Sequence, residues 1–321
     1  MIQTESLLCD RTIQALYTRV RESAPAVFNL LVSSRMSSLL GFLNYDLPLK
    51  NRGFNPGSLL ADLNIPPTDI HGPLTALNTY RRFFERQIRY WECRPMSLNH
   101  RAIVSPADAR VIVGSLSPKS RLFIKEKFFQ YSELIGKNRP AWLSAFRNGD
   151  FALFRLTPEK YHYNHVPVAG QVMDVYEING QYHACNPGAV VRSVTPCSKN
   201  RRIVTVIDTD VDNGTRVGLV AMVEIVALMI GKIVQCYSPT AYDFPRPAAP
   251  GFFLEKGVPK SLFCPGSSTT LLMFEQNRIR FSRDLVQNTC RTDVCSRFSS
   301  GFNTPLVETE LNVRETIGEA I

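Results

Sequence analysis

No run in this sequence approaches the roughly 20 apolar residues that spanning a bilayer requires. The strongest candidate, AVFNLLVSSRMSSLLGFL at 26–43, is interrupted by Arg35 and four serines. A transmembrane protein is therefore not expected. The N terminus, MIQTESLLCDRTIQ, has no basic leader ahead of an apolar core and carries Glu5 and Asp10, which argues against secretory and mitochondrial signals. The eight cysteines (9, 93, 185, 197, 236, 264, 290 and 295) contain no C-x-x-C pair, so zinc ribbons and redox dithiols have no support. In a chain of this size they read as reduced intracellular thiols, several of them buried. Neither G-x-G-x-x-G nor G-x-x-x-x-G-K-[ST] occurs, and there is no strand–helix–strand rhythm, so a nucleotide-binding Rossmann or P-loop architecture has no support.

What is present is an ordinary globular composition, 44% hydrophobic and 20% charged over 321 residues, enough to bury a substantial core. The balance of 37 Lys+Arg against 28 Asp+Glu gives a formal +9 and favours anionic partners. Along the chain, Ile13, Leu16, Tyr17 and Val20 recur at helical spacing until Pro25, and 26–43 continues as a second apolar segment. These read as a pair of helices packed on the domain, or as an interfacial pair with arginines 11, 19, 21 and 35 toward acidic headgroups. Residues 44–73, rich in Pro, Gly and Asn, read as a connector with at most a short helix. The stretch TALNTYRRFFERQIRYWECRP (75–95) predicts one amphipathic helix ending before Pro95. Beyond residue 100 short β-type runs alternate with turns. The expectation is an α+β chain: a helical N-terminal region over 1–95, then a mainly antiparallel β catalytic body over 96–321.

Chemistry-bearing residues are few. Of five histidines, His162 and His165 stand three apart in TPEKYHYNHVPVAGQV, between a strand and the turn region 167–170, where functional loops concentrate. A shared metal is disfavoured because no further ligands follow at zinc-like spacing. Acid–base work suits the pair better. Asp108 in VSPADARV sits at a strand's edge. In FCPGSSTTLLMF (263–274), Gly266 and Ser267 head an apolar strand. Asp108, His165 and Ser267 would make an acid–base–nucleophile relay. The serine is not in G-x-S-x-G, so a lipase-type elbow is not indicated.

Four collinear segments, YRRFFERQIRYWECRP, SPADA, YHYNH and GSSTTLLMF, together resemble the phosphatidylserine decarboxylases, which are pyruvoyl-dependent, self-cleaving enzymes. The similarity runs from about 80 to 275. It departs from the family pattern at Ala109 and Val226, where glycine is usual, and at Tyr163, where arginine is common. The resemblance implies that the Ser267 hydroxyl attacks the Gly266 carbonyl, that the chain parts between 266 and 267, and that Ser267 becomes a covalent pyruvoyl cofactor. It implies His165 as the base, Asp108 as the group that orients it, and His162 as a residue that positions the substrate or reprotonates its α-carbon. It further implies phosphatidylserine as substrate and phosphatidylethanolamine as product. The two cleaved chains would stay together as one protomer and two protomers would pair as a homodimer, peripheral at the cytoplasmic face of an anionic membrane, with no nucleic acid and no metal. The alternatives are a pyruvoyl enzyme for a soluble amino acid or its derivative, and an inert relative that keeps the fold.

Overall fold

The alternation that begins near residue 100 folds as antiparallel sheet. The structure, a computed structural model, describes residues 15–46, 53–124, 127–192, 195–228, 232–266 and 268–321. The expected nucleophile Ser267, like Arg11, lies outside the described residues.

The first seven strands are β1 (Ala102–Val104), β2 (Ala109–Ser115), β3 (Asp150–Leu156), β4 (Tyr163–His165), β5 (Gly170–Ile178), β6 (Arg202–Asp208) and β7 (Leu219–Val226). After them come β8 (Ile233–Gln235), β9 (Phe253–Leu254), β10 (Pro259–Phe263), β11 (Ser268–Phe274), β12 (Ile279–Phe281), β13 (Thr309–Leu311) and β14 (Thr316–Ala320). An eight-stranded sheet runs in the order β13-β2-β3-β11-β7-β6-β5-β9, and two three-stranded sheets run β4-β10-β8 and β1-β14-β12. All pairings between these strands are antiparallel. The α+β expectation holds.

β11 is apolar without a break because both of its faces are covered. Leu272 and Phe274 pack with Ile103, Val166 and Phe263 on one side, while Leu271 and Met273 pack with Phe146, Phe151 and Phe298 on the other. Its register runs from Ser268 opposite Leu156 on β3 and Val226 on β7 to Phe274 opposite Asp150 and Val220. The junction with β10 therefore lies where a strand of the small sheet hands over to a central strand of the large one.

In the N-terminal region the break at Pro25 is observed, followed by α1 (Pro25–Leu31) and α2 (Ser34–Gly41). Among the described residues the Pro/Gly-rich connector holds a short helix, α3 (Pro56–Asp62), and a single 3-10 turn at Pro67–Asp69. The single helix expected over 75–95 is not formed. Instead α4 (Tyr80–Phe84) and α5 (Tyr90–Cys93) flank an extended piece in which Ile88 bridges to Ile70. Tertiary partners take the backbone groups that a continuous helix would have used. The buried guanidinium of Arg86 donates to the Phe83 carbonyl at 3.1 Å and to the Glu159 carbonyl at 2.7 Å. The Ile88 amide donates to the Tyr242 hydroxyl at 3.1 Å.

Truncating the inner face of β11 tests this packing. Leu272→Ala, made in an uncleavable background, is expected to lower the unfolding free energy by about 2–5 kcal/mol. Urea denaturation followed by tryptophan fluorescence reads it; a loss below ~1 kcal/mol would contradict the two-faced burial.

Candidate active site

β4 carries His165, with His162 immediately ahead of it, and lies beside β10, with His165 opposite Pro259 and Tyr163 opposite Leu262. The Phe263 amide donates to the His162 carbonyl at 3.1 Å, so the turn at 264–266 departs from the strand edge that holds the histidines. Gly266 is buried and has φ +145°, a backbone state that side-chain-bearing residues rarely adopt. Only glycine reaches it without strain, and that explains its identity immediately before residue 267.

The two histidines occupy different surroundings. His162 is fully buried and stacks on Phe84 of α4 with ring centroids 3.6 Å apart. Its Nε2 lies 3.2 Å from the Pro158 carbonyl. A carbonyl only accepts, so Nε2 carries the proton and Nδ1 is a bare lone pair. Among the described residues that Nδ1 has no hydrogen-bond partner. His165, also fully buried, has both ring nitrogens engaged: Nδ1 with the Gly257 carbonyl at 3.0 Å and Nε2 with the Tyr161 hydroxyl at 2.9 Å. The Tyr90 ring stands edge-on to it at 4.7 Å. Desolvation pushes both imidazoles down to about 3, His162 with help from the Arg86 charge, so both are neutral bases at physiological pH.

Asp108 is brought close to His165 without touching it. Its carboxylate takes a two-pronged contact from Arg94, at 3.1 and 2.8 Å, and the Val313 amide at 2.8 Å. The part of ring orienter falls instead to the Gly257 carbonyl. The charge of Asp108 reaches the imidazole through space and favours its protonated form.

Sequence reasoning missed a buried polar bridge between the two sheets. Lys260 of β10 donates to Glu224 of β7 at 2.8 Å and to Gln235 of β8 at 2.8 Å, and neither ionic side chain is exposed. Ser261 also donates to Glu224, and the Asn164 amide nitrogen donates to Ser261 at 3.2 Å. The amide oxygen of Asn164 accepts from Thr270 of β11 at 2.7 Å. The available signal was a charge inside each of two mainly apolar strands, LVAMVEIV and PKSLF. Tyr161 and Tyr242 were missed too, the latter because it joins the site from a loop far along the chain. Among the described residues no group of three or more His, Cys, Asp or Glu is arranged to hold a metal ion.

A sequence model of the phosphatidylserine decarboxylase family matches residues 80–298. The chain is 28% identical over 239 residues to a phosphatidylserine decarboxylase proenzyme of Fusobacterium nucleatum, covering 72% of this chain and 71% of that one. It is 32% identical over 228 residues to phosphatidylserine decarboxylase proenzyme 2 of Oryza sativa, covering 70% of this chain but 34% of the longer plant protein. A proenzyme of Chlamydia trachomatis is 32% identical over 215 residues, covering 67% of this chain and 65% of the relative.

The buried neutral imidazoles make stability pH-dependent. Unfolded histidine titrates near 6.5, and the folded His162 and His165 only near 3. Between those values the unfolded state binds more protons, so stability is complete above about pH 6.5 and is lost as pH falls toward about 3. A urea midpoint that drops across this window, with a shallower drop in His162→Gln, is the expected outcome. A flat profile would show that the rings are not buried neutral.

Proposed function

Since the chain belongs to the phosphatidylserine decarboxylase family, we propose that it is a proenzyme that cuts itself between Gly266 and Ser267 and then converts phosphatidylserine to phosphatidylethanolamine. The observation that carries this reading is Gly266: buried, at φ +145°, just ahead of β11 and following β10, the strand paired with the His165 strand.

A glycine leaves its carbonyl carbon unshielded, and a neutral buried imidazole is a ready proton acceptor. The Ser267 oxygen bonds to the Gly266 carbonyl carbon as its proton passes to His165. The carbon–nitrogen bond then breaks, the nitrogen takes the proton back, and an ester joins 266 to 267. Removal of the Ser267 α-proton expels the Gly266 carboxylate and leaves a dehydroalanine, which water converts to an α-keto end with release of ammonia. The products are chains 1–266 and 267–321.

The surroundings suit an α-keto group at 267. Ser268 brings a buried hydroxyl and His162 a buried lone pair, neither with a hydrogen-bond partner among the described residues. These are the polar atoms available to hold it. Such a group supplies a ketone, an electron sink for the pair left behind when an amino acid loses carbon dioxide. The bare Nδ1 of His162 accepts a proton or a hydrogen bond from the substrate. Phe84, stacked on its ring, keeps water away. Val226, the cross-strand neighbour of Ser268, fills space that a glycine would leave open.

A lipid substrate needs access from a membrane surface. Val27, Leu30, Leu39, Phe42 and Leu43 are exposed along the N-terminal helices, with the exposed Arg19 and Arg35 in the same region. No helix among the described residues is long and apolar enough to cross a membrane. An apolar row flanked by cations suits shallow insertion into an anionic leaflet.

Intact-mass analysis tests the cleavage. Two chains divided at 266/267 with an α-keto N terminus are expected, against a single uncut 36.2 kDa species for Ser267→Ala; a wild-type protein that stays whole ends the reading. Vesicle flotation tests the surface. The protein is expected to float with phosphatidylserine vesicles and not with neutral ones, and Leu30→Glu/Phe42→Glu to lose at least ~5-fold of that binding. Retained activity on free amino acids without any flotation would favour the soluble substrate instead.

A further inference from the structure

His165 sits at one end of a hydrogen-bond chain whose proton count does not close while the ring is neutral. Its Nδ1 contacts the Gly257 carbonyl at 3.0 Å, and its Nε2 contacts Tyr161 Oη at 2.9 Å. Tyr161 Oη lies 2.8 Å from Tyr242 Oη, and Tyr242 Oη lies 2.8 Å from the Ile88 carbonyl. Each of these four contacts needs one hydrogen. The two carbonyls only accept, and the Ile88 amide already points at Tyr242 as a donor.

A neutral imidazole and two phenols bring three hydrogens to the four contacts. With Nδ1–H on Gly257, Tyr161 donates to Nε2 and Tyr242 to Tyr161, and then Tyr242 faces the Ile88 oxygen with no proton between them. Any other arrangement moves the empty contact elsewhere without filling it. An imidazolium brings the fourth hydrogen. Nε2 then donates to Tyr161, Tyr161 to Tyr242 and Tyr242 to Ile88, and every contact is made. Tyr161 is fully buried, and the hydroxyl of the half-buried Tyr242 is taken up by Tyr161 and the Ile88 backbone, so a shortfall within the chain is costly. Asp108, the usual kind of partner for such a ring, is taken up by Arg94 and the Val313 amide.

We propose that Tyr161 and Tyr242 are positioning residues that stabilise the protonated form of His165 while the chain cuts itself. The proposal rests on the cleavage reading above. Once the imidazole has taken up the Ser267 hydroxyl proton, the two phenolic hydrogens swing away from the ring, Tyr161 toward Tyr242 and Tyr242 toward the Ile88 carbonyl. When the carbon–nitrogen bond breaks, the proton passes to the departing nitrogen and both hydroxyls swing back. No proton is gained or lost over the cycle, and no other reactant is required.

The test follows the first-order conversion of freshly made precursor into two chains for wild type, Tyr161→Phe and Tyr242→Phe. Tyr161→Phe removes the acceptor that the described residues offer to Nε2–H, and cleavage is expected to slow by roughly 10- to 100-fold, the worth of one hydrogen bond to a charged group. Tyr242→Phe leaves that acceptor but strands the Tyr161 hydrogen, and a smaller slowing of about 3- to 10-fold is expected. A second measurement guards against misfolding: ¹⁵N spectra of histidine-labelled Ser267→Ala precursor, with and without Tyr161→Phe. There His165 is expected as the Nδ1–H tautomer with a hydrogen-bonded Nε2, whose resonance moves to that of a bare lone pair when the Tyr161 hydroxyl is removed. Cleavage within twofold of wild type in both variants, or an Nε2 signal indifferent to Tyr161, overturns the proposal and leaves the cleavage reading standing. A wild-type chain that never cuts removes both.

Discussion

Four residues separate the end of β10 at Phe263 from the start of β11 at Ser268, and in that distance the chain changes sheets. Everything at the candidate site follows from this shortage of chain. With β11 pinned between β3 and β7 along its whole length, and β10 pinned between β4 and β8, the junction has no slack. Gly266 takes up the mismatch at φ +145°. The Lys260–Glu224 pair, with Gln235, Ser261, Asn164 and Thr270, fixes the spacing of the two sheets just behind the junction. A buried ion pair of this kind costs so much desolvation that it adds little net stability. Its value here is geometric, because it accepts one arrangement of the strands and no sliding.

The electrostatics follow from the same packing. Helix α4 lays Phe84 on His162, and α5 sets Tyr90 against His165, so both rings lose water and stay uncharged. The cations and anions nearby are neutralised mostly among themselves, as in Arg94 with Asp108. Arg86 spends its hydrogen bonds on backbone carbonyls. A buried cluster of neutral bases with one poorly shielded carbonyl alongside is a reasonable setting for rearranging a peptide bond. It is also one in which the carboxylate of a bound amino acid would be poorly solvated.

How much of this was readable beforehand depended on whether the signal was local. β11 was legible because an apolar run behind a Pro-Gly turn has few other fates. The histidine pair and Asp108 were legible as residue types in turn-rich contexts, and Gly266 as a glycine where the backbone had to approach closely. The break within 75–95 was not legible. It is imposed by Glu159 and Tyr242, which reach that segment only in the folded chain, while the local spacing of apolar residues is compatible with one helix. The partner of Asp108 was misjudged for a related reason. Arg94 lies close in sequence, but whether it or a histidine takes the carboxylate is decided by how α5 packs. Tyr242 carried no signal at all, since its part comes from meeting Tyr161 across a long loop.

One consequence of the strand order reaches past the chemistry. The segment from 268 onward supplies the centre of the large sheet through β11, its outer strand through β13, and two of the three strands of a second sheet through β12 and β14. Glu308 adds a largely buried ion pair to Arg155 of β3 at 2.6 Å. A backbone severed ahead of β11 would thus be a nick without a release. The small piece is woven through its larger companion so thoroughly that parting them means dismantling both sheets. Dilution would not separate the halves, and a new chain end produced there would stay anchored where it was born.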